Sequence, residues 1–384
     1  MIIGIDGNEA NNVRPDIGER VGVNRYGFEI LWGLFKENKK QKNKHKFVVF
    51  LKNKPAIDLP KEDTYWKYEV ISGGGLWIIR RLMPTLLKNP RPDVFFTPSH
   101  YLPPLLLAPG VCTIHDLGYL KFSEHLKKYD FWQLKYWTAI SITISKYIIS
   151  ISESTKGDIV RHYHKSSKKV SVVYHGYEKS KFNTKISKND VRRVKKKYGI
   201  LSGEYILFLS TLKPSKNVEG LLKALTHIKP ELIDGLTLVV AGKKGWLYDT
   251  IFQKYKDLKL GKKVVFTDFV RENDKANLIY GAKVFVLPSY WEGFGMDVVH
   301  AMACGTPVVV SRVASLPEVA GNAGVYVNPN KPQSIAKGIE KVLNMDKIEY
   351  NKLVKIGLRQ AEKFSWEKAA RQTLAVLEKA ARIK

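Results

Sequence analysis

The sequence predicts an α/β protein with two parallel-sheet domains in series. Three observations carry that expectation. Short apolar runs alternate with longer amphipathic segments from end to end, the alternation falls into two separate series, and a charged stretch of fading periodicity lies between them. A chain of 384 residues with 44% hydrophobic composition can bury a core in each half.

In the first series the strands are read at residues 2–5, 47–51, 94–96, 111–114, 148–152 and 170–173. In the second they are read at 205–209, 236–241, 264–266, 284–287, 308–311 and 324–327. Runs of this length that are apolar throughout suit strands covered on both faces, as in parallel sheets. No tandem repeat is visible, so the two series are two Rossmann-like domains rather than an array. From Tyr174 to Lys197 charge replaces periodicity, which places the domains at residues 1–178 and 190–365 and a cleft between them. Ser365 reads as the N-cap of a closing Ala/Leu-rich helix over 366–384.

The junction after 284–287 is the most informative stretch. The run empties into Pro288-Ser289-Tyr290-Trp291-Glu292-Gly293-Phe294-Gly295, and a small-residue helix over 297–303 follows directly. Two glycines flank one aromatic and a carboxylate precedes them. The backbone there can approach a ligand, offer it bare N–H groups and carry an acid beside it, which suits a sugar diphosphate. Lys216 sits at a second strand-to-helix junction, where an ammonium and a helix N-terminus converge.

Composition narrows the classes. No apolar stretch approaches the roughly 20 residues of a membrane span, since residues 140–151 are broken by Ser141, Ser145 and Lys146. Met1-Ile2-Ile3-Gly4-Ile5-Asp6 reads as a first strand and not as a signal peptide. Cys112 and Cys304 lie in different domains, which argues against a disulfide framework and for the cytoplasm. His162-Tyr163-His164 is the one close pair with metal-ligand spacing and reads as a solvated helix end, so no metal is expected. A net charge of +28 calls for an anionic partner or a lysine-biased composition. The lysines are scattered, which argues against nucleic acid and leaves an anionic membrane or a phosphorylated substrate. The runs from Leu76 to Met83 and from Lys127 to Trp132 mix aromatics with basic residues, as interfacial helices do.

Taken with Ala301-Met302-Ala303-Cys304-Gly305-Thr306-Pro307 and Ser315-Leu316-Pro317-Glu318-Val319-Ala320-Gly321-Asn322-Ala323-Gly324, the 288–295 turn resembles the C-terminal signature of the family-4 retaining glycosyltransferases. Gly22-Val23-Asn24-Arg25-Tyr26, Thr113-Ile114-His115-Asp116-Leu117, Ser150-Ile151-Ser152-Glu153-Ser154, Thr211 to Asn217 and Ala241 to Trp246 extend the resemblance over nearly the whole chain. It is similar in flavour to bacterial surface-polysaccharide mannosyl- and rhamnosyltransferases. The resemblance implies the GT-B fold, with the last helix crossing back to the N-terminal domain. It implies sugar transfer, with retention and without a metal or other cofactor, from a nucleotide-diphosphate donor such as GDP-mannose or a UDP-sugar. The acceptor is a saccharide or lipid-linked hydroxyl, and the enzyme is cytoplasmic, peripheral at a membrane face.

Residue by residue, the resemblance implies that His115 and Glu292 are the catalytic-centre residues. Lys216, Ser215 and Gly22 meet the donor diphosphate, and Glu292, Gly293, Phe294 and Gly295 meet the donor sugar. His300 and the backbone at Val270 meet the nucleoside. Ser215 and Thr211 stand where many members carry arginines, leaving phosphate charge to Lys216, backbone amides and Arg25. His300 stands where the family carries a second glutamate that grips the ribose. A neutral imidazole offers one donor and one acceptor, so the ribose contact is expected to be weaker or rearranged, with Asp297 either orienting the ring or serving only as an N-terminal helix acid. Restoring glutamate at 300 is expected to tighten the donor by about 1 kcal/mol if it regains the ribose contact, and to weaken it if the histidine is an adaptation and the carboxylate is buried unmatched. Asp116 reads as structural and His100 as a second, weaker histidine of the site. A catalytically silent protein of the same fold and a basic polyanion or membrane-surface binder stay open as alternatives.

Overall fold

The computed structural model describes residues 1–14, 18–88, 90–122, 128–201, 203–245 and 247–382, apart from the side chain of Asp130. Lys127, Trp246 and the end of the closing helix at Ile383 lie outside the described residues. The chain divides into two compact units, Met1–Gly176 with Ser365–Lys384, and Tyr177–Phe364.

The first unit holds a seven-stranded sheet. Its strands are β1 (Ile2–Asp6), β2 (Lys46–Leu51), β3 (Trp66–Val70), β4 (Val94–Thr97), β5 (Gly110–Ile114), β6 (Tyr147–Ser150) and β7 (Val170–Val172). The order is β3-β2-β1-β4-β5-β6-β7, and every neighbouring pair is parallel. Strands β4, β5 and β6 are buried along their whole length, the reason they read as unbroken apolar runs. Strand β3 was not anticipated. It is an edge strand whose sequence, Trp-Lys-Tyr-Glu-Val, buries only Trp66, against the rings of Phe47 and Phe35 at 5.0 and 5.4 Å.

The helix Trp366–Arg382 packs in this unit, against the helix Val23–Lys40. Small residues permit it. A Cβ on Gly33 would stand 2.5 Å from Cβ of Ala370, so only glycine lets the two backbones close to this distance. Glu378, at the far end of the helix, accepts from Lys44 Nζ at 2.7 Å and faces His45 Nε2 at 3.0 Å. The C-terminal helix therefore joins the N-terminal sheet domain, as a GT-B chain requires.

The second unit holds a six-stranded sheet. Its strands are β8 (Tyr205–Leu209), β9 (Thr237–Ala241), β10 (Val264–Asp268), β11 (Val284–Leu287), β12 (Val308–Ser311) and β13 (Gly324–Val327). The order is β10-β9-β8-β11-β12-β13, again with every neighbouring pair parallel. Strand order reverses between β1 and β4 in one sheet and between β8 and β11 in the other. In doubly wound sheets, ligands are bound beyond the carboxyl ends of the strands at such a switch point. Among the described residues no helix is long and apolar enough to cross a membrane.

Candidate functional site

In the second unit the loops leaving β8 and β11 meet at the switch point because the two strands are neighbours. The turn Pro214–Lys216 ends at Asn217, whose φ of 55° and ψ of 42° lie in the left-handed region that asparagine tolerates. The buried Asn217 amide then does two things. Its oxygen caps the helix Val218–Leu225 by accepting from the N–H of Gly220, and its nitrogen donates to the carbonyls of Pro288 and Pro329 at 3.0 and 2.8 Å. A main-chain bond from Tyr290 N–H to the Ser215 carbonyl, 2.9 Å, adds a second tie between the loops.

These ties bring Lys216 onto Glu292. The ammonium donates to both carboxylate oxygens at 2.6 Å, and Ser289 Oγ donates to Oε1 at 2.7 Å. The two charged side chains are only 13% and 8% exposed, so the pair sits where water screens it poorly. Behind it, the hydroxyl of Ser315 is shared between the carbonyls of Glu292 and Phe294 at 2.9 and 3.0 Å. Gly295, at φ 94°, turns the chain into the helix Met296–Ala303. The main-chain N–H groups of Gly293 and Gly295 donate to no group among the described residues. The Phe294 ring is buried edge-on against Phe364, centroids 5.5 Å apart.

His300 lies one turn along that helix and is 8% exposed. Its ring stacks flat on Phe182, centroids 3.8 Å and planes 5° apart, a contact that no motif pointed to. Nδ1 stands 3.5 Å from Asp297 Oδ1, a distance for electrostatic attraction rather than a close hydrogen bond. Burial pushes the Asp297 carboxyl up, but His300, Lys275 and Lys216 together pull it below the ordinary carboxylate range. Glu272 feels the same cluster and is ion-paired to Lys275 at 2.7 Å. Val270 follows β10 and is buried as a whole residue, 1% exposed.

In the first unit the switch point gathers histidines. His115 follows β5, and its Nε2 lies 2.9 Å from the Pro98 carbonyl. A carbonyl only accepts, so Nε2 carries the proton and Nδ1 keeps a lone pair. The His115 main-chain N–H donates to Nε2 of His100 at 3.0 Å, and the two rings lie parallel, 6° apart. Nε2 of His100 is therefore the acceptor and Nδ1, 3.4 Å from Thr138 Oγ1, the donor. Tyr26 sets its ring edge-on to His115 at 4.8 Å and its hydroxyl 3.2 Å from Thr113 Oγ1. Its own N–H donates to the carbonyl of Gly22, whose φ of 57° opens the helix, so one residue links the Gly22 turn to His115. Asp116 accepts from Gly118 N–H at 2.8 Å in a local turn, a structural task. Arg25 is ion-paired to Glu29 on its own helix at 2.5 Å.

The expected residues thus fall into two groups. Lys216, Ser215 and Glu292 to Gly295 form one loop cluster, with His300 on the helix behind it, while Gly22 and His115 belong to the other unit. Ser289, Asn217, Ser315, Phe182 and Tyr26 complete the two groups and were not singled out from the sequence. Among the described residues no group of three His, Cys, Asp or Glu side chains could hold a metal ion.

With this geometry in view, the chain matches the family Glycosyl transferases group 1 over residues 190–360 and Glycosyltransferase Family 4 over residues 42–181. The chain belongs to the family-4 glycosyltransferases. An O-antigen chain mannosyltransferase of Escherichia coli is 29% identical to this glycosyltransferase over 288 residues, 75% of this chain and 74% of that one. An uncharacterised glycosyltransferase of Methanocaldococcus jannaschii is 33% identical over 239 residues, 60% of this chain and 59% of its own. The structure of Anabaena HepE in complex with UDP and glucose superposes with a TM-score of 0.71 at 18% identity, covering 98% of this chain and 99% of that one. That likeness shows the GT-B fold. Family membership does not favour the silent-protein and polyanion-binder alternatives for this glycosyltransferase.

Proposed function

We propose that this glycosyltransferase moves a sugar, with retention and without a metal ion, from a nucleotide-diphosphate donor to a saccharide or lipid-linked hydroxyl. GDP-mannose or a UDP-sugar is the donor. The mannosyltransferase relative and the UDP-bound structural neighbour support the donor class. The buried Lys216–Glu292 pair at the switch point is the observation that carries the reading. An ammonium has three N–H donors and Glu292 takes two, leaving one for a phosphate oxygen. That charge stabilises the leaving diphosphate in the way a divalent cation does elsewhere, while the N–H groups of Gly293 and Gly295 meet the donor sugar. As the bond from the anomeric carbon to the phosphate oxygen breaks, the acceptor oxygen bonds to the same face and its proton passes to that phosphate oxygen. Glu292, held by Lys216 and Ser289, accepts sugar hydroxyls and does not attack. His115, in the first unit, offers an acceptor at Nδ1. A lipid-linked acceptor brings the enzyme to an anionic membrane face, where a +28 chain is concentrated.

Donor consumption is expected to persist in excess chelator, and the product anomer read by NMR is expected to match the donor. A complete loss that Mg²⁺ reverses would remove the metal-free part, and an inverted anomer the retaining part.

The surroundings of His300 favour the second expectation for glutamate at that position. A carboxylate there loses the Phe182 stack and joins Asp297 and Glu272, with Lys275 and the Glu292-paired Lys216 to offset them. His300→Glu is expected to weaken donor binding by about 1–2 kcal/mol. Calorimetric titration with GDP and UDP checks it, and tighter binding by the variant would restore the simple ribose-gripping picture.

A further inference from the structure

The helix Lys128–Ile144 in the first unit is apolar on its solvent side as well as its core side, where Ile142 is buried. Its buried side carries Thr138 and Ser141, both fully covered, while Tyr129, Trp132, Tyr136, Ile140 and Ile144 follow one another at helical spacing along the exposed side. Tyr129 and Tyr136 are 76% and 60% exposed. The buried hydroxyls have a reason, since Thr138 meets His100 and Ser141 accepts from the N–H of Leu102. The apolar solvent face has none among the described residues.

That face borders a groove of about 590 Å³ whose other wall is the segment beginning at Leu76. Gln133 is the one lining residue that is neither aromatic, aliphatic nor proline. The floor indoles of Trp77 and Trp137 donate their N–H groups to the carbonyls of Ile71 and Leu102, so they present only carbon to the groove. Leu76 is held at φ 56°, a conformation a leucine adopts only at a cost, with its side chain half exposed. The two segments that supply its walls carry excess positive charge. Residues 71–91 carry Arg80, Arg81, Lys88 and Arg91 and no acid, and residues 128–146 carry Lys128, Lys135 and Lys146 against Asp130 alone.

We infer that this groove and the exposed face of Lys128–Ile144 are the surface by which the protein seats on an anionic phospholipid bilayer. Leu76 and the Trp132–Tyr136 pair, whose rings stack at 5.3 Å, enter the headgroup boundary while Arg80 and Arg81 meet phosphates. Exposed tyrosine and tryptophan rings suit a boundary that is apolar on one side and wet on the other. A second copy would bring another excess of positive charge against this one, and an acidic protein would meet a groove with almost no hydrogen-bonding groups. The inference deepens the membrane contact of the proposed function and rests on that reading.

Flotation of the full chain with vesicles of phosphatidylcholine, with and without phosphatidylglycerol, tests it in the absence of donor and acceptor. Binding is expected only to the anionic vesicles. Arg80→Glu with Arg81→Glu should weaken it about 30-fold, and Tyr129→Glu with Trp132→Glu at least about tenfold. Both variants should keep the wild-type unfolding midpoint, which separates surface loss from misfolding. Absent wild-type binding, equal binding to neutral vesicles, or unchanged binding by either variant overturns the inference. A dimer in sedimentation that the Tyr129/Trp132 variant dissociates would assign the face to a second copy instead. Sugar transfer to a soluble acceptor without vesicle binding would sink this inference and leave the proposed reaction standing.

Discussion

Lys216→Ala is expected to destabilise the second unit by about 3–5 kcal/mol, because it leaves the Glu292 carboxylate buried with only Ser289 as a side-chain partner. The loss of binding is separate. Removing the one free N–H of the ammonium should weaken a nucleoside diphosphate by roughly 1.5–3 kcal/mol in protein that is still folded. Glu292→Gln distinguishes the two effects. It keeps a carbonyl acceptor for Lys216 and removes the charge, so it should cost less stability than Lys216→Ala and leave diphosphate affinity closer to wild type. The double variant should then be more stable than Lys216→Ala alone, since no carboxylate remains to be stranded. Denaturant unfolding and calorimetry with GDP and UDP read the two quantities. Equal stability of Lys216→Ala and wild type would mean that the pair does not hold the loops, and equal affinity would remove Lys216 from the diphosphate.

The strands and the site contacts differed in how visible they were in the sequence. Runs such as 94–96 and 284–287 announced themselves because both faces of a parallel sheet are covered and every residue is apolar. β3 did not, since an edge strand that buries one tryptophan has no apolar run to read. Lys216 and Glu292 were each legible from a strand-to-helix junction and from the family likeness. Their pairing was not, because it joins residues 76 positions apart through a sheet order in which β8 and β11 are neighbours. Asn217 was hidden for a different reason. An asparagine after a lysine reads as a helix cap, and only its left-handed backbone shows that the same amide also holds the two loops together. The Phe182 stack on His300 lies in a segment that reads as a charged linker, where nothing marks one aromatic as a partner.

Acid should destabilise the first unit through its histidines, and the size of the effect can be isolated at His100. Burial, and then the neighbouring His115, push His100 down from 6.5 to about 4. Burial lowers His115 as well and holds His175 well below the ordinary range. The native state thus keeps these rings neutral where the unfolded chain takes up protons. Stability is fully present above the unfolded value near 6.5 and falls as the pH drops toward about 4, where the native ring begins to protonate. For His100 alone the gap between 6.5 and about 4 corresponds to roughly 3 kcal/mol. Asp6 acts in the opposite sense. Burial raises its carboxyl to about 6, so the folded state binds its proton first and acidification through that range stabilises. The total curve mixes both signs, and the informative quantity is a difference. His100→Asn can keep an acceptor for the His115 main-chain N–H and cannot titrate. Urea unfolding of wild type and variant at a pH of about 7.5 and of about 4 should show wild type losing roughly 3 kcal/mol more than the variant, with the Asp6 contribution cancelling between them. Parallel losses in the two proteins would mean that His100 is protonated in the native state, and the Nε2 acceptor that fixes the His115 backbone would have to be given up.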